Sequence, residues 1–446
     1  MTEDRTTTAP AHPERDGHRP ANVGGCPESH AHPPTGPDRT TAAHPPGGGG
    51  DQVHTWPLDD FEALDFDPFL ADRLRDARAV RIRLPFGEGD AWLMSRYAHV
   101  KAATTDPRFS RSELVGRTVT ASSPHAIASQ QASLNYADPP RLNNMRRVVA
   151  RAFTGKAMQR LRPLAQATVD GLLDAMERSG KPADLVEHLH GPFPLAVVSD
   201  LLGMPAALRA DMVSWANIAM TPGLAPKAST DALATVRETI VKLLALRRAE
   251  PADDLAGVLV AATDAGEITE PEAISLATAI LVSGTHAVRN NSANMIYALL
   301  THPEHLARLR AEPDLIPQAV DELLRFIPHR SGVGLPRIAT QDVEIAGVTI
   351  RAGEAVYSSY LAANRDPEVF PDPDTLDFDR GPIAHMAFGN GPHHCVGSML
   401  ARMESELMLK TLLDRYPDLA LAVPADTLTW QPGALIRGPI TLPITW

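Results

Sequence analysis

The ten residues from Phe388 to Gly397 constrain the fold of this chain more than any other segment. They read Phe-Gly-Asn-Gly-Pro-His-His-Cys-Val-Gly and lead directly into an apolar stretch of helical spacing that begins near Ser398. Glycine tolerates backbone angles and close approaches that a Cβ atom forbids. Three glycines around one cysteine therefore predict a loop that wraps closely around a flat group and points its backbone amides at the Cys395 sulfur.

A cysteine thiolate in such a loop is typical of haem-iron ligation, where it donates electron density to the metal and favours cleavage of dioxygen. One alternative is a buried cysteine in a tight turn. Another is a zinc site built from His393, His394 and Cys395, which would need a second pair of ligands at a recognisable spacing. The second cysteine of the chain, Cys26, has no such partner nearby in the sequence. Haem ligation is therefore the preferred interpretation.

The same residues fill every fixed position of Phe-Gly-x-Gly-x-His-x-Cys-x-Gly, so the chain resembles the cytochromes P450 through their haem-binding signature. The resemblance covers roughly residues 55 to 446. It implies a mainly α-helical fold with small β-sheets, a single haem-thiolate domain, and haem b (iron protoporphyrin IX) as the cofactor. It also implies that Cys395 is the axial ligand of the iron and that Phe388 and Gly389 belong to the loop around the ring.

Charge and cysteine content exclude several other classes of protein. The net charge of -12 argues against a non-specific nucleic-acid binder or a protein that lies on anionic membranes, since both need a basic surface. Two cysteines suit a reducing compartment. The sequence has neither an apolar run long enough to span a bilayer nor a secretory signal pattern. We therefore expect a soluble, cytoplasmic protein without nucleic-acid or membrane partners.

The chain divides into a polar tail and one domain. Residues 1–52 are rich in Pro, Gly and His and contain almost no large apolar side chains, which predicts disorder before a domain that spans residues 53–446. This domain leaves no length for a flavin or iron–sulfur module. The resemblance then implies that a ferredoxin and an NAD(P)H-dependent ferredoxin reductase supply the electrons.

Within the domain, most of the pattern is helical. Apolar residues recur at steps of three and four from Tyr97 to about Leu309. Alternating runs at Val80–Leu84 and Ala91–Met94 predict a β-hairpin. Further short strands are predicted at residues 343–345, 348–350, 356–357 and 440–444.

Other motifs match the family in part. Glu322 and Arg325, three residues apart on one helical face, resemble the buried Glu-x-x-Arg pair that locks the fold around the haem pocket. Thr375 stands where many members have the arginine that completes this network. Arg146, Arg337 and His393 match the positions that anchor the haem propionates.

Two features of the helix that carries Arg146 also bear on function. Leu142 replaces a histidine that binds a propionate in many members. A basic cluster runs along this region, and half of it is expected to be an ordinary solvated face, whereas the rest would attract an acidic ferredoxin. Its members are Arg146, Arg147, Arg151, Lys156, Arg160 and Arg162.

The segment from Ile280 to Val288 departs from the family at the oxygen-binding site. By alignment to the usual Ala-Gly-His-Glu-Thr-Thr, His286 replaces the acid and Ala287 replaces the oxygen-activating threonine. Activation of dioxygen needs two protons, which the missing acid and alcohol normally deliver through ordered water. The spacing places four side chains on one helical face that would line the distal site, next to Gly284. These are Ser283, His286, Ala287 and Asn290.

His286 has two interpretations. It titrates near neutral pH in the ordinary case and would then donate a proton. Equally, it points at a neighbouring helix and has no chemical role. If the protein does not organise the proton supply, hydroxyl groups of the substrate would have to do so, which favours phenolic or other polar aromatic substrates.

The resulting hypothesis is a P450 of bacterial secondary metabolism that couples aromatic rings such as phenols, indoles or tryptophan diketopiperazines. Framework segments around Ser359–Pro367 and Pro432–Trp446 resemble actinomycete members that couple aryl groups. The alternatives are a conventional monooxygenase that hydroxylates a polyketide or peptide, peroxide-driven or other haem chemistry without dioxygen, and a catalytically silent partner subunit. By resemblance, substrate would contact residues 113–136, 215–224, 331–335 and 433–436.

Overall fold

Helices form most of the backbone in the computed structural model of this protein. The structure describes residues 52–56, 61–76, 78–122, 132–209, 212, 215, 226–329, 333–382, 384–432 and 436–446. These all lie within one compact unit that runs from Gly49 to Trp446. The disordered tail predicted for residues 1–52 lies outside the described residues except for Gln52, so it stays a prediction.

The helices follow the apolar periodicity of the sequence, and their bounds are set by prolines and capping residues. In chain order they are α1 (Pro68–Arg73), α2 (Tyr97–Thr105), α3 (Arg141–Ala150), α4 (Gly155–Ser179), α5 (Pro192–Leu202), α6 (Pro226–Ala249), α7 (Leu255–Asp264), α8 (Glu270–Thr301), α9 (Pro303–Ala311), α10 (Ile316–Phe326), α11 (Tyr360–Ala363) and α12 (Ser398–Arg415). A single π-helical turn, Val186–His190, precedes α5.

The longest of these helices, α8, has 32 residues and crosses the main hydrophobic core. It begins with a capping box in which the Thr269 hydroxyl accepts from the Glu272 backbone N–H, while the Glu272 carboxylate accepts from that of Thr269. Its buried face packs against α5 and α12. Because α12 follows Cys395 directly, this packing places the predicted distal segment and the thiol-bearing loop on elements that share one core.

Short strands form three sheets in the described part of the chain. They are β1 (Val53–Thr55), β2 (Val80–Arg83), β3 (Ala91–Met94), β4 (Phe109–Ser110), β5 (Ala183–Asp184), β6 (Arg337–Ala339), β7 (Val343–Ile345), β8 (Val348–Ile350), β9 (Ala355–Ser358), β10 (Ala420–Leu421) and β11 (Pro443–Thr445). The six-stranded sheet has the order β1-β2-β3-β9-β6-β4, the second sheet is β10-β11-β5, and β7 pairs with β8. The mainly α-helical fold with small sheets is thus confirmed.

The predicted hairpin is confirmed, since β2 and β3 pair antiparallel with Ile82 opposite Ala91. Leu84 falls outside the strand because its backbone N–H donates to the Thr120 hydroxyl at 2.7 Å. The last strand was predicted at residues 440–444 but spans Pro443–Thr445. The N–H of Ile440 donates to the Thr429 carbonyl, so this part of the chain turns back on its own segment before it pairs with β5 and β10.

The segment before β11 joins distant parts of the fold. The Arg437 guanidinium donates to the carbonyls of Phe61, Glu62, Ala63 and Asp65, which immediately precede α1. None of the helices that the structure describes has both the length and the hydropathy that a bilayer span requires.

Candidate active site

The loop that carries Cys395 is held by its own backbone. The Cys395 N–H donates to the Phe388 carbonyl at 2.9 Å, and the Gly389 N–H donates to that of Met386 at 2.9 Å. A short 3-10 turn, Gly391–His393, then brings the chain to Cys395, whose side chain is exposed. The loop therefore presents the sulfur at its surface, directly before α12 begins.

Two glycines in this loop are required by geometry. Gly389 and Gly391 both have φ of +73°, a region that other residues rarely adopt. A Cβ atom on Gly391 would also lie 2.5 Å from the Thr104 carbonyl oxygen of α2. The Asn390 amide donates to the Thr104 hydroxyl at 2.9 Å and fixes the same contact. The glycine spacing seen in the sequence thus allows the loop to approach α2.

His393 lies in a cluster of buried cations. Burial, and then the charges of Arg111 and Arg337, lower the pKa of His393 to about 2, so its imidazole is neutral at pH 7. Arg337 is 3% exposed, and its Nη2 has no hydrogen-bond partner among the described residues. The partnerless Nη2 of Arg337 calls for an anionic partner, because a buried donor of a charged group is costly to leave unsatisfied.

Arg111 in this cluster was not identified from the sequence. Asp138 fixes the turn that carries it, since its carboxylate accepts from the backbone N–H groups of Arg111 and Ser112 and from the hydroxyls of Ser110 and Ser112. Leu142, at the position where many relatives have a histidine, is fully buried in the main core. Arg111 directly follows β4, and no motif in the sequence around it marks it as a propionate-binding residue.

The charges and shape of this region fit the proposed cofactor. Haem b carries two propionates, and the buried Nη2 of Arg337 is a donor that such a carboxylate would satisfy. His393 and Arg111 lie beside it, and Cys395 follows His393 by two residues. A thiol on one side and an edge of buried cations match the donor set that a haem with a thiolate ligand requires.

Arg146 lies on the Cys395 side of this cluster. Its Nη1 donates to the His394 carbonyl at 2.7 Å. Burial lowers the pKa of Arg146, and the Cys395 side chain opposes that shift. A cleft of about 360 Å³ opens here, with Arg147 and Met399 among its lining residues. Arg146 thus stabilises the loop directly, in a place where its sequence pattern predicted a propionate contact.

The Glu-x-x-Arg pair is buried and has a third partner. Arg325 donates to both carboxylate oxygens of Glu322 at 2.7 Å. The Thr375 position contributes only its backbone carbonyl, which accepts from Arg325. The cation that completes the network is Arg380, whose Nε donates to Glu322 at 3.0 Å. From the sequence, this arginine was expected at the position of Thr375. In the structure it is Arg380, five residues later.

The Phe388 ring is enclosed by polar side chains. The Arg402 guanidinium lies 4.6 Å from its centroid, and the His385 ring lies at 5.9 Å. Asp321 accepts from the Arg402 Nε at 2.6 Å and contacts the His385 Nε2 at 3.2 Å. Burial, and then the charges of Arg146 and Arg402, lower the pKa of His394. The positive charge of Arg402 therefore acts on the residue directly before Cys395.

The predicted distal side chains on α8 do not share a single environment. Ser283 is exposed and Ala287 is half-buried. Gly284 faces α5, because a Cβ atom there would lie 3.3 Å from the Val198 side chain. Asn290 is fully buried and its amide donates to the Ile436 carbonyl at 2.7 Å. The structure therefore separates Asn290, which contacts the C-terminal segment, from Ser283 and Ala287.

His286 is neutral at physiological pH. Burial, and then the positive charge of Arg289, lower its pKa to about 4. Titration near neutral pH, one of the two interpretations of His286, does not fit this environment, because packing buries the imidazole beside Arg289, three residues later on the same helix. A neutral imidazole still donates one hydrogen bond and accepts another.

Three of the six members of the predicted basic cluster are neutralised by ion pairs. Arg151 pairs with Glu267 at 2.7 Å, and Arg162 pairs with Glu406 at 2.9 Å. Arg160 pairs with Asp253 at 2.5 Å. These three arginines therefore belong to an ordinary charged surface, which is the interpretation expected for half of the cluster.

The predicted substrate surface is described only in part. Residues 123–131, 216–225, 331–332 and 433–435 lie outside the described residues. Within the same predicted ranges, Trp215 and Ile436 are buried. Among the residues that the structure describes, no three His, Cys, Asp or Glu side chains converge as a metal site.

Comparisons with known proteins agree with this geometry. A profile of the family described as cytochrome P450 matches residues 209–420. The chain is 48% identical over 394 residues to biflaviolin synthase of Streptomyces coelicolor, which covers 88% of this chain and 96% of that relative. It is 38% identical over 397 residues to a mycinamicin IV hydroxylase/epoxidase of Micromonospora griseorubida, which covers 89% of this chain and 99% of that relative.

Solved structures give the same result. A crystal structure of a P450 described as having biaryl coupling reactivity superposes with a TM-score of 0.83 at 41% identity and covers 89% of this chain and 100% of its own. A P450 hydroxylase of the leinamycin pathway of Streptomyces atroolivaceus superposes with a TM-score of 0.81 at 42% identity, with 88% of this chain and all of its own chain covered.

Proposed function

This chain belongs to the cytochrome P450 family, and from that premise we propose that it joins aromatic rings by oxidative coupling in secondary metabolism. Members of the family use haem b with a thiolate ligand, which supplies oxygen activation and one-electron oxidation. The relatives include actinomycete enzymes of secondary metabolism, among them both a coupling enzyme and hydroxylases. The choice between these two reactions therefore depends on residues of this chain.

Five side chains would hold the cofactor. Cys395 would bind the iron, and the buried cations Arg337 and Arg111 would neutralise the propionates together with the neutral imidazole of His393. Arg146 would keep the thiol-bearing loop in place through the His394 carbonyl. In this arrangement the buried positive charge and the two carboxylates compensate each other.

The observation that supports coupling is the methyl group of Ala287. A hydroxyl at this position would hold a water molecule, whereas alanine has neither a donor nor an acceptor. His286, one residue earlier, is neutral and therefore does not replace the lost acid as a strong proton donor. A substrate that carries its own hydroxyl groups would supply the missing hydrogen bonds. Phenols and related polar aromatics have this property, and they also lose an electron and a proton readily.

Hydroxylation is the second candidate because two of the similar proteins are named as hydroxylases. The experiment uses purified holoenzyme with a ferredoxin, a ferredoxin reductase and NAD(P)H. This mixture is incubated with phenols, indoles and tryptophan diketopiperazines, and the masses of the products are measured by mass spectrometry. Coupling gives the mass of two substrates less two hydrogens, whereas hydroxylation adds one oxygen. Products that only gain oxygen across the panel would exclude coupling for these substrates.

Ligation by Cys395 is tested separately from the reaction. Reduced holoenzyme under carbon monoxide should show the strongly red-shifted Soret band of thiolate coordination. Cys395→Ala should abolish this band, while a change of the exposed Ser283 to Ala should leave it in place. A wild-type protein without the band would contradict the assignment of Cys395.

A ferredoxin is the expected electron donor, and the cleft beside Cys395 is where we propose that it docks. Arg147 and Met399 combine a cation with an exposed apolar side chain there. Opposite charge on the donor would increase the rate of encounter more than the affinity.

A further inference from the structure

The Phe388 ring is placed between the thiol-bearing loop and a half-buried polar group. Its own carbonyl accepts the Cys395 N–H at 2.9 Å, so movement of Phe388 is transmitted to the backbone of Cys395. The Arg402 guanidinium lies over the ring, 4.6 Å from its centroid. This distance is well within the range of a cation–π interaction, in which the face of the ring attracts the positive charge.

Arg402 is held in this position by a side chain of another helix. Asp321, on α10, accepts from the Arg402 Nε at 2.6 Å. The same Asp321 oxygen lies 3.2 Å from the Nε2 of His385. The Nδ1 of His385 accepts from the Ala387 N–H at 3.2 Å, which leaves its Nε2 to donate to Asp321. One carboxylate therefore orients both groups that flank Phe388.

The positive charge of Arg402 affects how readily the haem iron is reduced. A fixed cation near a thiolate and its iron stabilises the state with more negative charge, which is the reduced one. Two factors weaken this effect: the side chain of Arg402 is 33% exposed to solvent, and the negative charge of Asp321, 2.6 Å from its Nε, offsets part of the positive charge. The guanidinium rather than the carboxylate lies against the Phe388 ring, so we expect a modest net effect of positive sign.

We propose that Arg402, oriented by Asp321 and His385, is a positioning residue that fixes the Phe388 ring over the thiol-bearing loop and raises the reduction potential of the haem iron. The proposal rests on the proposed ligation of that iron by Cys395. It assigns a role in electron uptake to a polar group outside the substrate pocket.

The test is a spectroelectrochemical titration of the holoenzyme. In Arg402→Gln the equilibrium constant for reduction should fall by about threefold, which corresponds to a potential about 28 mV more negative. Arg402→Lys keeps the charge but not the planar group, so its shift should be smaller. If Arg402→Gln does not retain haem, Arg402→Met takes its place, because methionine keeps the bulk beside the ring.

The matched control is Arg308→Gln. Arg308 has a side chain 31% exposed and pairs with Asp379, so this change removes the same charge from a similarly exposed site. A shift in Arg402→Gln no larger than the control shift would overturn the proposal, as would a shift in Arg402→Lys equal to that in Arg402→Gln.

A second comparison tests the role of the ring. In a Phe388→Leu background, Arg402→Gln should shift the potential less than it does in the wild type, because the contact with the ring is gone. An unchanged shift would overturn the part of the proposal that acts through Phe388. The ferrous–carbon monoxide band of the wild type distinguishes a failure of the Arg402 proposal from a failure of iron ligation by Cys395. Its absence would contradict ligation by Cys395, whereas its presence with unchanged potentials would contradict only the role of Arg402.

Discussion

At the scale of single residues, the buried carboxylate of Glu322 is neutralised by direct hydrogen bonds from two arginines. Glu322 accepts from Arg325 on both of its oxygens, and one of these also accepts from Arg380 and from the Asp377 N–H. Removing one partner of a buried ion pair costs more than the pair contributes, because the remaining charge stays buried.

Arg380→Gln should therefore destabilise the protein by about 3 kcal/mol. We expect a lower midpoint in urea denaturation, followed by circular dichroism, and a smaller haem content after purification. Arg162→Gln is the control, since its exposed pair with Glu406 should contribute less than about 1 kcal/mol. Equal midpoints for the two variants would mean that Arg380 does not complete the network.

Local spacing in the sequence predicted part of the candidate site. The structure shows Glu322 and Arg325 as a buried pair, whereas ligation of the haem iron by Cys395 stays a prediction. Arg111 and Arg380 were missed because their partners lie far away in the sequence and no local pattern requires them. The low pKa of His286 was missed for a different reason: Arg289 is only three residues away, but burial, the main cause of the shift, depends on how α8 packs.

At the scale of elements, the C-terminal segment is attached to the middle of α8. The Asn290 amide donates to the Ile436 carbonyl at 2.7 Å and to the Gln431 side chain at 3.2 Å. Gly438 lies against the same side chain, so that a Cβ atom there would come within 2.7 Å of the Asn290 amide. This contact explains why the amide of Asn290 faces the C-terminal segment.

Asn290→Ala should cost about 1 to 3 kcal/mol, because the Ile436 carbonyl loses its donor within the core. Gly438→Ala should also destabilise the protein, since the new methyl group overlaps Asn290. The double variant should be no less stable than Asn290→Ala alone, because the overlap disappears with the amide. Urea midpoints of the four proteins test this, and strictly additive losses would contradict the contact.

Glu404 on α12 is a buried carboxyl group that couples stability to pH. The side chain is 1% exposed, its Oε1 has no hydrogen-bond partner among the described residues, and burial raises its pKa well above the usual value. The native state therefore holds a proton that the unfolded chain releases. Stability is lost as the pH rises from the unfolded pKa toward the native one, by about 1.4 kcal/mol per pH unit at most.

Glu404→Gln removes this titration. Compared with the wild type, the variant should gain in relative stability between about pH 5 and pH 8, as measured by urea denaturation of the holoenzyme at each pH. A constant difference between wild type and Glu404→Gln at all pH values would show that Glu404 is ionised in the native protein.

At the scale of the whole molecule, an acidic protein presents a local basic surface beside Cys395. The net charge is -12, yet Arg146 and Arg147 line the cleft at the thiol-bearing loop. Arg160, farther along the predicted basic cluster, pairs with Asp253. A donor with an acidic face would therefore be attracted to one part of a surface that otherwise repels it.

Arg147→Gln should slow reduction by an acidic ferredoxin severalfold at low salt, with the difference shrinking as salt screens the charges. Arg160→Gln should leave the rate nearly unchanged. Stopped-flow reduction under carbon monoxide measures both. If the two variants slow reduction equally, docking at the cleft beside Cys395 is wrong.

The sequence predicted the overall class of the fold better than its long-range contacts. Apolar spacing and prolines predicted the helical body and the β2–β3 hairpin, since both depend on neighbours along the chain. The start of β11 was misplaced because the pairing of Ile444 with Ala183 depends on a strand far away in the sequence. The same limit applies to the attachment of the C-terminal segment at Asn290.

The contacts of Arg437 with the carbonyls before α1 join residues 372 to 376 positions apart. A ribosome that adds about 5 to 20 residues per second needs roughly 20 to 75 s to make the chain between them. During that interval the carbonyls of Phe61–Asp65 must be hydrated, and the apolar residues beside them lack their final cover. Nascent-chain experiments should therefore find this early segment accessible to proteases or chaperones until Arg437 emerges from the exit tunnel.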